Sequence, residues 1–386
     1  GVPVEHLGRL YLFFGDSRQY FGDTPGPWIR PIAVTDYLEP FSVGREWKPS
    51  LSLDFLHRPD KSLGETQLLP LRVLDPGGPG KPPRIPEDDT FFVPTGGFSY
   101  GGSVHVFVSE KARVPEIPDI GFVGLPAVSE AALARWELTN YAVDPPSGPG
   151  AGLVGGRSVL ASSSDPREPF TSVEVFDARN VAFDDLLEEW KFSHVSPLVV
   201  DAGTIPGLRH PDGTPATGDA LLLWGTGAYR RSDVCMAWVP LRPGAPIPDV
   251  SEWQFFAGLD SRGEPTFTSG MRSAIGLLSW SDGNPTSTVP NYRGRGLKAD
   301  GWPVPLPYEI GEFSVTYVAQ MRSWLMLYGG ATGRISSTPW GPWRPLGLGA
   351  VLYHAPDQDP AVAIAAGTGM YAPYGLSRFY RYNTEK

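Results

Sequence analysis

The sequence has little cysteine, little charge and no long hydrophobic run, and each shortage excludes a class of protein. Cys235 is the only cysteine among 386 residues, so no disulfide can form within the chain. It lies in the apolar run VCMAWV, which predicts a buried hydrophobic side chain rather than a nucleophile. No apolar run approaches the roughly 18 residues that a membrane-spanning helix requires.

No signal peptide is visible at the start of the chain. This fits a cytoplasmic protein or a mature, trimmed chain, and the start at Gly1 without Met favours trimming.

Charge is sparse and unbalanced. Only 19% of the residues are charged, the net charge is −10, and no basic block is present. A protein that binds a phosphate backbone needs clustered Lys and Arg, which argues against nucleic acid as a partner. An acidic chain with 12 Trp, 15 Tyr and 19 Phe is better suited to neutral sugars. Aromatic rings cover the C–H faces of sugars, and carboxylates and Arg bind their hydroxyls.

Glycine and proline are abundant, with 46 and 42 residues. Both break helices and mark turns between short strands, so the composition indicates a turn-rich β protein. Hydrophobic residues make up 41% of the chain, which excludes a disordered one.

One pattern recurs five times: a turn, four to six apolar residues and a small residue at the exit. Short continuous apolar runs are typical of strands that are buried on both faces. Five repeats predict an all-β, five-bladed β-propeller over residues 1–386, a single domain with long loop insertions, a few short helices and these runs among its inner strands. A β-sandwich is the alternative. The five runs are GRLYLFFGDS (8–17), GGSVHVFVSE (101–110), GDALLLWGTG (218–227), RSWLMLYGGA (322–331) and PAVAIAAGTG (360–369).

Motifs for several catalytic classes are missing. The sequence contains no G-x-S-x-G elbow, P-loop or H-E-x-x-H, and its six histidines are scattered. We therefore predict no metal site and no cofactor, and leave open a structural cation in the central channel.

Carboxylates remain as candidates for catalysis. Glycoside hydrolysis needs one acid that protonates the leaving oxygen and one carboxylate that activates water or attacks carbon. Asp16 ends the strongest apolar run, Asp36 closes the next strand candidate, and Glu312 opens another. An antiparallel hairpin would bring the regions of Asp16 and Asp36 together. For Asp16 alone, the alternative is an aspartate that caps a turn.

Aromatic and guanidinium side chains near these acids or in neighbouring motifs are candidates for binding substrate. The alternative for each Trp is packing between blades, and for Arg30 and Arg231 it is a salt bridge to a neighbouring acid. The candidates are Trp28, Arg30, Tyr100, Arg231, Asp233, Arg334 and Trp340.

The order of several motifs resembles that of the bacterial propeller glycoside hydrolases that include endo-D-arabinanases. The motifs are GRLYLFFGDS, Trp28-x-Arg30, PTGGFSYGGSVHVFVS, WGTGAYRRSDVCMAWVP, GEFSVTYVAQMRSWLMLYGG and TPWGPW. The resemblance covers nearly the whole chain. It implies a five-bladed propeller and export, so that the protein is secreted, on the cell surface or periplasmic. It also implies cleavage of D-arabinofuranosyl linkages in arabinogalactan or lipoarabinomannan.

The same resemblance implies two catalytic aspartates. One would be Asp16, and the other belongs to an upstream T-D-L-G strand of which GVPVE looks like the tail. Either that acid precedes Gly1, or Asp36 is its nearest substitute. Arg30-Pro31 departs from the Arg-Ser/Asn pattern of the family. A missing second acid would favour the alternative function, a non-catalytic carbohydrate-binding or surface-interaction propeller.

Overall fold

Antiparallel strands make up most of the fold. A computed structural model of the chain describes residues 1–15, 17–21, 24–35, 53–59, 66–74, 91–111, 157–177, 191–227, 233–282, 310, 313–328 and 332–346. The strands are β1 (Val2–His6), β2 (Arg9–Phe13), β3 (Ser17–Phe21), β4 (Thr24–Ile29), β5 (Ile32–Thr35), β6 (Asp54–Phe55), β7 (His57–Pro59), β8 (Thr66–Leu68), β9 (Phe91–Tyr100), β10 (Ser103–Lys111), β11 (Arg157–Ser163), β12 (Thr171–Asp177), β13 (His194–Asp201), β14 (Asp219–Thr226), β15 (Val234–Pro240), β16 (Gln254–Leu259), β17 (Pro265–Thr268), β18 (Phe313–Val318), β19 (Ser323–Tyr328), β20 (Thr332–Ser336) and β21 (Arg344–Pro345). One short α-helix, α1 (Leu277–Ser281), follows β17.

These strands form four larger sheets. The first has the order β1-β2-β5-β6, the second β9-β10-β11-β12, the third β13-β14-β15-β16-β17 and the fourth β18-β19-β20-β21. Two small hairpins, β3-β4 and β7-β8, complete the described strands. Each large sheet is an antiparallel meander, which is the architecture of a propeller blade.

The sheets pack side by side around a common axis. β1 packs against β9, β9 against β13, and β13 against β18. Three hydrophobic clusters fill the spaces between successive sheets, around Phe170, Trp253 and Trp224. The fold is therefore an all-β propeller with few helices, as the composition predicted. The described residues account for four blades.

Two glycines allow the innermost strands to approach each other closely. A Cβ added at Gly96 would lie 1.9 Å from the carbonyl oxygen of Val195, on β13. A Cβ at Gly97 would lie 2.5 Å from a methyl carbon of Val4, on β1. β9 therefore fits between its two neighbours only because it has no side chain at these positions.

The repeated apolar runs were expected among the inner strands. In the structure they lie one strand further from the axis. Four of them form β2, β10, β14 and β19, which are the second strands of their sheets. The second strand is paired along both edges and covered on both faces, so it is the most uniformly apolar. The fifth run, 360–369, lies outside the described residues.

The expectation for the cysteine is confirmed. Cys235 lies on β15, is buried and forms no disulfide. Burial raises the pKa of its thiol to about 12, so the side chain stays neutral at physiological pH. Among the described residues, no helix has both the length and the apolar character needed to span a membrane.

Candidate functional site

A cavity of about 240 Å³ lies on the axis of the propeller. All four large sheets contribute their innermost strands to its wall. Hydroxyl groups of Ser99, Ser196, Ser314 and Thr316 belong to lining residues, and Glu5 supplies the one carboxylate among the lining residues that are described. The lining thus combines hydroxyl groups with apolar side chains and is nearly uncharged, as expected of a site for a neutral ligand.

The two ends of this channel carry different loops. We call the end at which β1, β9, β13 and β18 begin the front end, and the opposite end the back end. The last residue of each second strand pairs with the first residue of the innermost strand, and so lies at the front end. The pairs are Phe13 with Val2, Lys111 with Phe91, Thr226 with His194 and Tyr328 with Phe313.

Three sequence candidates belong to segments that adjoin described residues at the front end. Asp16, Arg231 and Glu312 lie outside the described residues. Asp16 follows Gly15, Glu312 precedes Phe313, and Arg231 belongs to residues 228–232, between Gly227 and Asp233. Gly15 is at the front end, since a Cβ there would lie 3.1 Å from side-chain atoms of Val93 and Pro94. Phe313 is the first residue of β18.

Asp36 also lies outside the described residues, and its neighbour is at the other end of the first sheet. β5 runs antiparallel to β2, with Ile32 opposite Phe13 and Thr35 opposite Leu10. Thr35 is therefore at the back end, whereas Gly15 is at the front end. The described residues next to the two acids, Gly15 and Thr35, therefore lie at opposite ends of the first sheet, because β5 spans its height. This does not favour the expected approach of the two acids, which themselves lie outside the described residues.

The candidates between these acids are only partly described. The backbone of Trp28 lies on β4, opposite Arg18. Arg30 is half-buried just before β5, and its carbonyl oxygen accepts a hydrogen bond of 2.7 Å from the Leu71 amide. Because β5 begins at the front end, Arg30 lies at the same end of the sheet as Gly15.

Tyr100 lies at the back end. It is the last residue of β9 and pairs with Ser103 across a tight turn. Burial and the nearby carboxylate of Asp219 raise the pKa of the Tyr100 phenol. The phenol hydroxyl lies near this carboxylate but does not meet the geometry of a hydrogen bond. Tyr100 is thus separated from the front-end candidates by the length of the channel.

Asp233 is buried and caps a helix. Its carboxylate accepts hydrogen bonds from the amides of Val234, Leu278 and Ser279 and from the Ser279 hydroxyl. Burial raises the pKa of Asp233, and the hydrogen bonds act in the opposite direction. All this bonding capacity is used inside the protein, which does not fit the predicted binding of sugar hydroxyls.

Arg334 is also engaged inside the protein. It donates two hydrogen bonds to the carboxylate of Asp282, at 3.0 and 3.1 Å, one to the Trp343 carbonyl and one to the Tyr328 hydroxyl. Burial lowers the pKa of Arg334, but the bonds to Asp282 and Tyr328 outweigh burial and raise it. The guanidinium of Arg334 is thus occupied by a salt bridge to Asp282 and by hydrogen bonds within the protein, which does not fit the predicted contact with substrate.

Trp340 packs in the core between the third and fourth sheets. Its ring is parallel to that of Phe256, with centroids 6.4 Å apart, and meets the edge of Phe267. Only 4% of the residue is exposed, so it offers no face to a sugar. Packing between blades, the alternative to a binding role, describes this residue.

The sequence reasoning missed the hydroxyls of the channel. Ser196 and Ser314 lie on innermost strands, and Ser196 accepts a hydrogen bond of 2.8 Å from the Val315 amide. The signal was present as Ser314 and Thr316 at alternating positions in EFSVTYV, and as the single Ser196 in HVSPLVV. Among the described residues, no three His, Cys, Asp or Glu side chains cluster to hold a metal ion.

These features define a β-propeller with a hydroxyl-lined axial channel. Its front end carries Arg30 and the described residues Gly15 and Phe313, which adjoin Asp16 and Glu312 in the sequence. No protein-family model matches the chain, and no curated protein is similar to it at a significant level.

Several solved structures are distantly similar. A protein of Bacteroides ovatus assigned provisionally to the hydrolases is 11% identical, with a TM-score of 0.41 over 92% of this chain and 70% of its own. A GH43_1 enzyme of Xanthomonas citri is 10% identical, with a TM-score of 0.33 over 90% of this chain and 72% of its own. A variant of the GH43 protein BlXynB of Bacillus licheniformis is 11% identical, with a TM-score of 0.33 over 92% of this chain. The match spans 43% of the BlXynB chain. At these values the similarities carry no assignment of family or activity.

Proposed function

We propose that this protein is a glycoside hydrolase that cleaves arabinofuranosyl linkages in D-arabinan of the arabinogalactan or lipoarabinomannan type. The observation that carries the proposal is the strand register. It brings the described residues that flank the segments of Asp16, Arg231 and Glu312 to one end of a hydroxyl-lined channel. The motif resemblance supports the same substrate, and implies that the protein is exported.

Asp16 serves as one catalytic carboxylate in this proposal. The register favours Glu312 over Asp36 as its partner within this sequence, because Thr35 is at the back end and Phe313 at the front end. Two nearby carboxylates raise the pKa of one of them, which keeps a proton available for the leaving oxygen. An acid from the T-D-L-G strand is the other candidate for the partner.

The remaining front-end candidates bind the substrate in this proposal. Arg30 and Arg231 donate hydrogen bonds to sugar hydroxyls, and Trp28 covers the apolar face of a ring. Because Tyr100, Asp233, Arg334 and Trp340 lie at the back end or in the core, the proposal assigns them no contact with the reacting sugar.

A fifth blade belongs to the proposal. Among the described residues, β18 and β1 show no packing like that between the other innermost strands. Leu10 and Leu325 are 1% and 5% exposed, yet they belong to none of the hydrophobic clusters of the described core. A further sheet between the fourth and the first, including the 360–369 run, would cover both leucines and close the ring.

The experiment compares D-arabinan hydrolysis by the unmodified protein with that by Asp16→Asn and Glu312→Gln. We expect each variant to lose about 10²- to 10⁴-fold of the activity, because acid–base catalysis contributes that much, while thermal unfolding is unchanged. Asp54→Asn is the control, since Asp54 is an exposed carboxylate on β6. Full turnover in Asp16→Asn would contradict the proposal.

The same assay separates the alternative function. A non-catalytic carbohydrate-binding propeller would bind arabinan oligosaccharides in calorimetry without releasing reducing ends. Screening D- and L-arabinans with product analysis identifies the sugar and the cleavage mode. Turnover of L-arabinan alone would keep the hydrolase and overturn the D-arabinan assignment.

A further inference from the structure

Two buried histidines, His6 and His105, lie near each other where the first sheet packs against the second, close to the back end of the channel. His6 is the last residue of β1, and only 3% of it is exposed. Its Nδ1 lies 2.9 Å from the hydroxyl oxygen of Ser99 on β9. Its Nε2 approaches the backbone of Ser164 without completing a hydrogen bond. The His6 side chain therefore spans the contact between the two sheets.

His105 lies on β10, next to this contact. Its Nε2 donates to the carbonyl oxygen of Tyr100 at 3.2 Å, and its Nδ1 is 2.7 Å from the hydroxyl oxygen of Ser162. Because a carbonyl oxygen can only accept, the neutral ring carries its hydrogen on Nε2. The ring also stacks on Phe98, with centroids 4.8 Å apart. A second proton would go to Nδ1 and would require the Ser162 hydroxyl to turn around.

Charged groups around the pair do not compensate for burial. Arg9 pairs with His6 across the β1–β2 hairpin, and Glu5 precedes it on β1. From the turn after β11, Asp165 attracts a proton to His6, but this carboxylate also pairs with Arg167 at 3.8 Å. From β14, Asp219 approaches the phenol of Tyr100. Tyr11 on β2 contributes only a ring, 6.2 Å from His6.

We propose that His6 and His105 make the junction of the first and second sheets sensitive to pH. The neutral His6 ring joins the sheets through Ser99, the neutral His105 ring links β9 to β11 within the second sheet beside that contact, and protonation of the rings loosens the junction. The inference does not depend on the proposed hydrolysis, because both rings are away from the front end.

The direction of the effect follows from linkage. Burial lowers the pKa of both histidines, and the nearness of His6 lowers that of His105 further. The unfolded chain, with histidine pKa values of about 6.5, therefore binds protons at a higher pH than the folded chain. This contribution to stability is complete above the unfolded value. It is lost as the pH falls from there through the lower pKa values of the folded state.

The first test measures thermal unfolding from pH 8 to pH 5 in the full chain. We expect the midpoint to fall with pH, and the fall to shrink by about half or more in the double variant His6→Gln, His105→Gln, since the two groups that bind the extra protons are gone. His57→Gln is the control, because His57 is an exposed histidine on β7, and should keep the full fall. A double variant with an unchanged fall would overturn the proposal.

The second test needs no variant. Hydrogen exchange, corrected for its intrinsic pH dependence, should show protection of β1 and β9 falling between pH 7 and pH 5 while β14 stays protected. NMR titration of the two ring Cε1–H signals should give midpoints below the ordinary histidine value. Equal protection at both pH values, or midpoints at the ordinary value, would overturn the proposal.

Discussion

The carboxylate of Asp233 is buried, with four hydrogen-bond donors around it. Two of these are amides at the start of α1, where the partial positive charge of a helix favours an anion. A Cβ added at Gly276, just before α1, would lie 2.4 Å from this carboxylate. The helix start and the carboxylate are therefore fitted to each other, and Asp233 determines how α1 joins β15.

Replacing Asp233 by Asn tests this role. We expect Asp233→Asn to lower the free energy of unfolding by about 2–3 kcal/mol, because an amide loses the charge and offers only one accepting oxygen to the donors. The measurement is denaturant unfolding of the full chain. Asp249→Asn is the matched control, since Asp249 also accepts an amide hydrogen bond, from Ser251, but is exposed. Its cost should stay below about 1 kcal/mol. Equal losses in the two variants would contradict the assignment.

The sequence marked polar residues as candidates but did not indicate which of them are buried. Asp233 meets Ser279 across 46 positions, and Arg334 meets Asp282 across 52. A sequence pattern that covers a few residues contains no trace of such partners. Only the fold reveals that the hydrogen-bonding groups of Asp233 and Arg334 are already satisfied. The strand that leads to Gly15, β2, was predictable, because its apolar run is a local pattern.

At the scale of the element, the close approach of the innermost strands determines the width of the channel. Gly96 faces β13 and Gly97 faces β1, and both also line the cavity. Interiors packed at crystal-like density have no room for an added methyl group. The Gly-Gly pair thus fixes the distance between three innermost strands and the size of the site between them.

Gly96→Ala tests this packing. The new Cβ would lie 1.9 Å from the Val195 carbonyl oxygen and 2.5 Å from the Pro197 ring, so β9 and β13 must separate. We expect a loss of about 3 kcal/mol or more in the free energy of unfolding, at the upper end of overpacking effects. Gly270→Ala is the control, because the nearest atoms there are 3.9 Å away and the backbone φ is −97°. A Gly96→Ala protein as stable as this control would contradict the packing argument.

Element types were predictable from the sequence where the apolar runs are short and continuous. β2, β10, β14 and β19 coincide with four predicted runs, because burial on both faces leaves a local pattern. Their position as second strands was not predictable, since it depends on what pairs with each edge. The innermost strands alternate in character and include Gly96, Pro197 and Ser314, so their pattern is weaker.

At the scale of the whole molecule, radial repetition makes a channel with two unlike ends. Each sheet starts at the axis and runs outward as a meander. The second strand of each sheet therefore ends at the front end. The segments that follow β2, β14 and β19 therefore begin at one end, regardless of their separation in sequence. This convergence supports a site for a polymeric substrate at the front end, with the pH-sensitive histidine pair kept apart at the back.

Closure of this ring is the last feature open to test. If the apolar segment GAVLYHA (349–355) and the 360–369 run form strands of a fifth blade, their amides should be as well protected from hydrogen exchange as those of β19, because strand hydrogen bonds open only on sub-global unfolding. The Gly101–Gly102 turn, which is exposed, provides the unprotected reference. Exchange of both segments at the rate of that turn would contradict a fifth blade. Residues outside a fifth blade would then have to pack on Leu10 and Leu325, which are buried. Leucines of this kind lose several kcal/mol of stabilisation when their packing partners are absent.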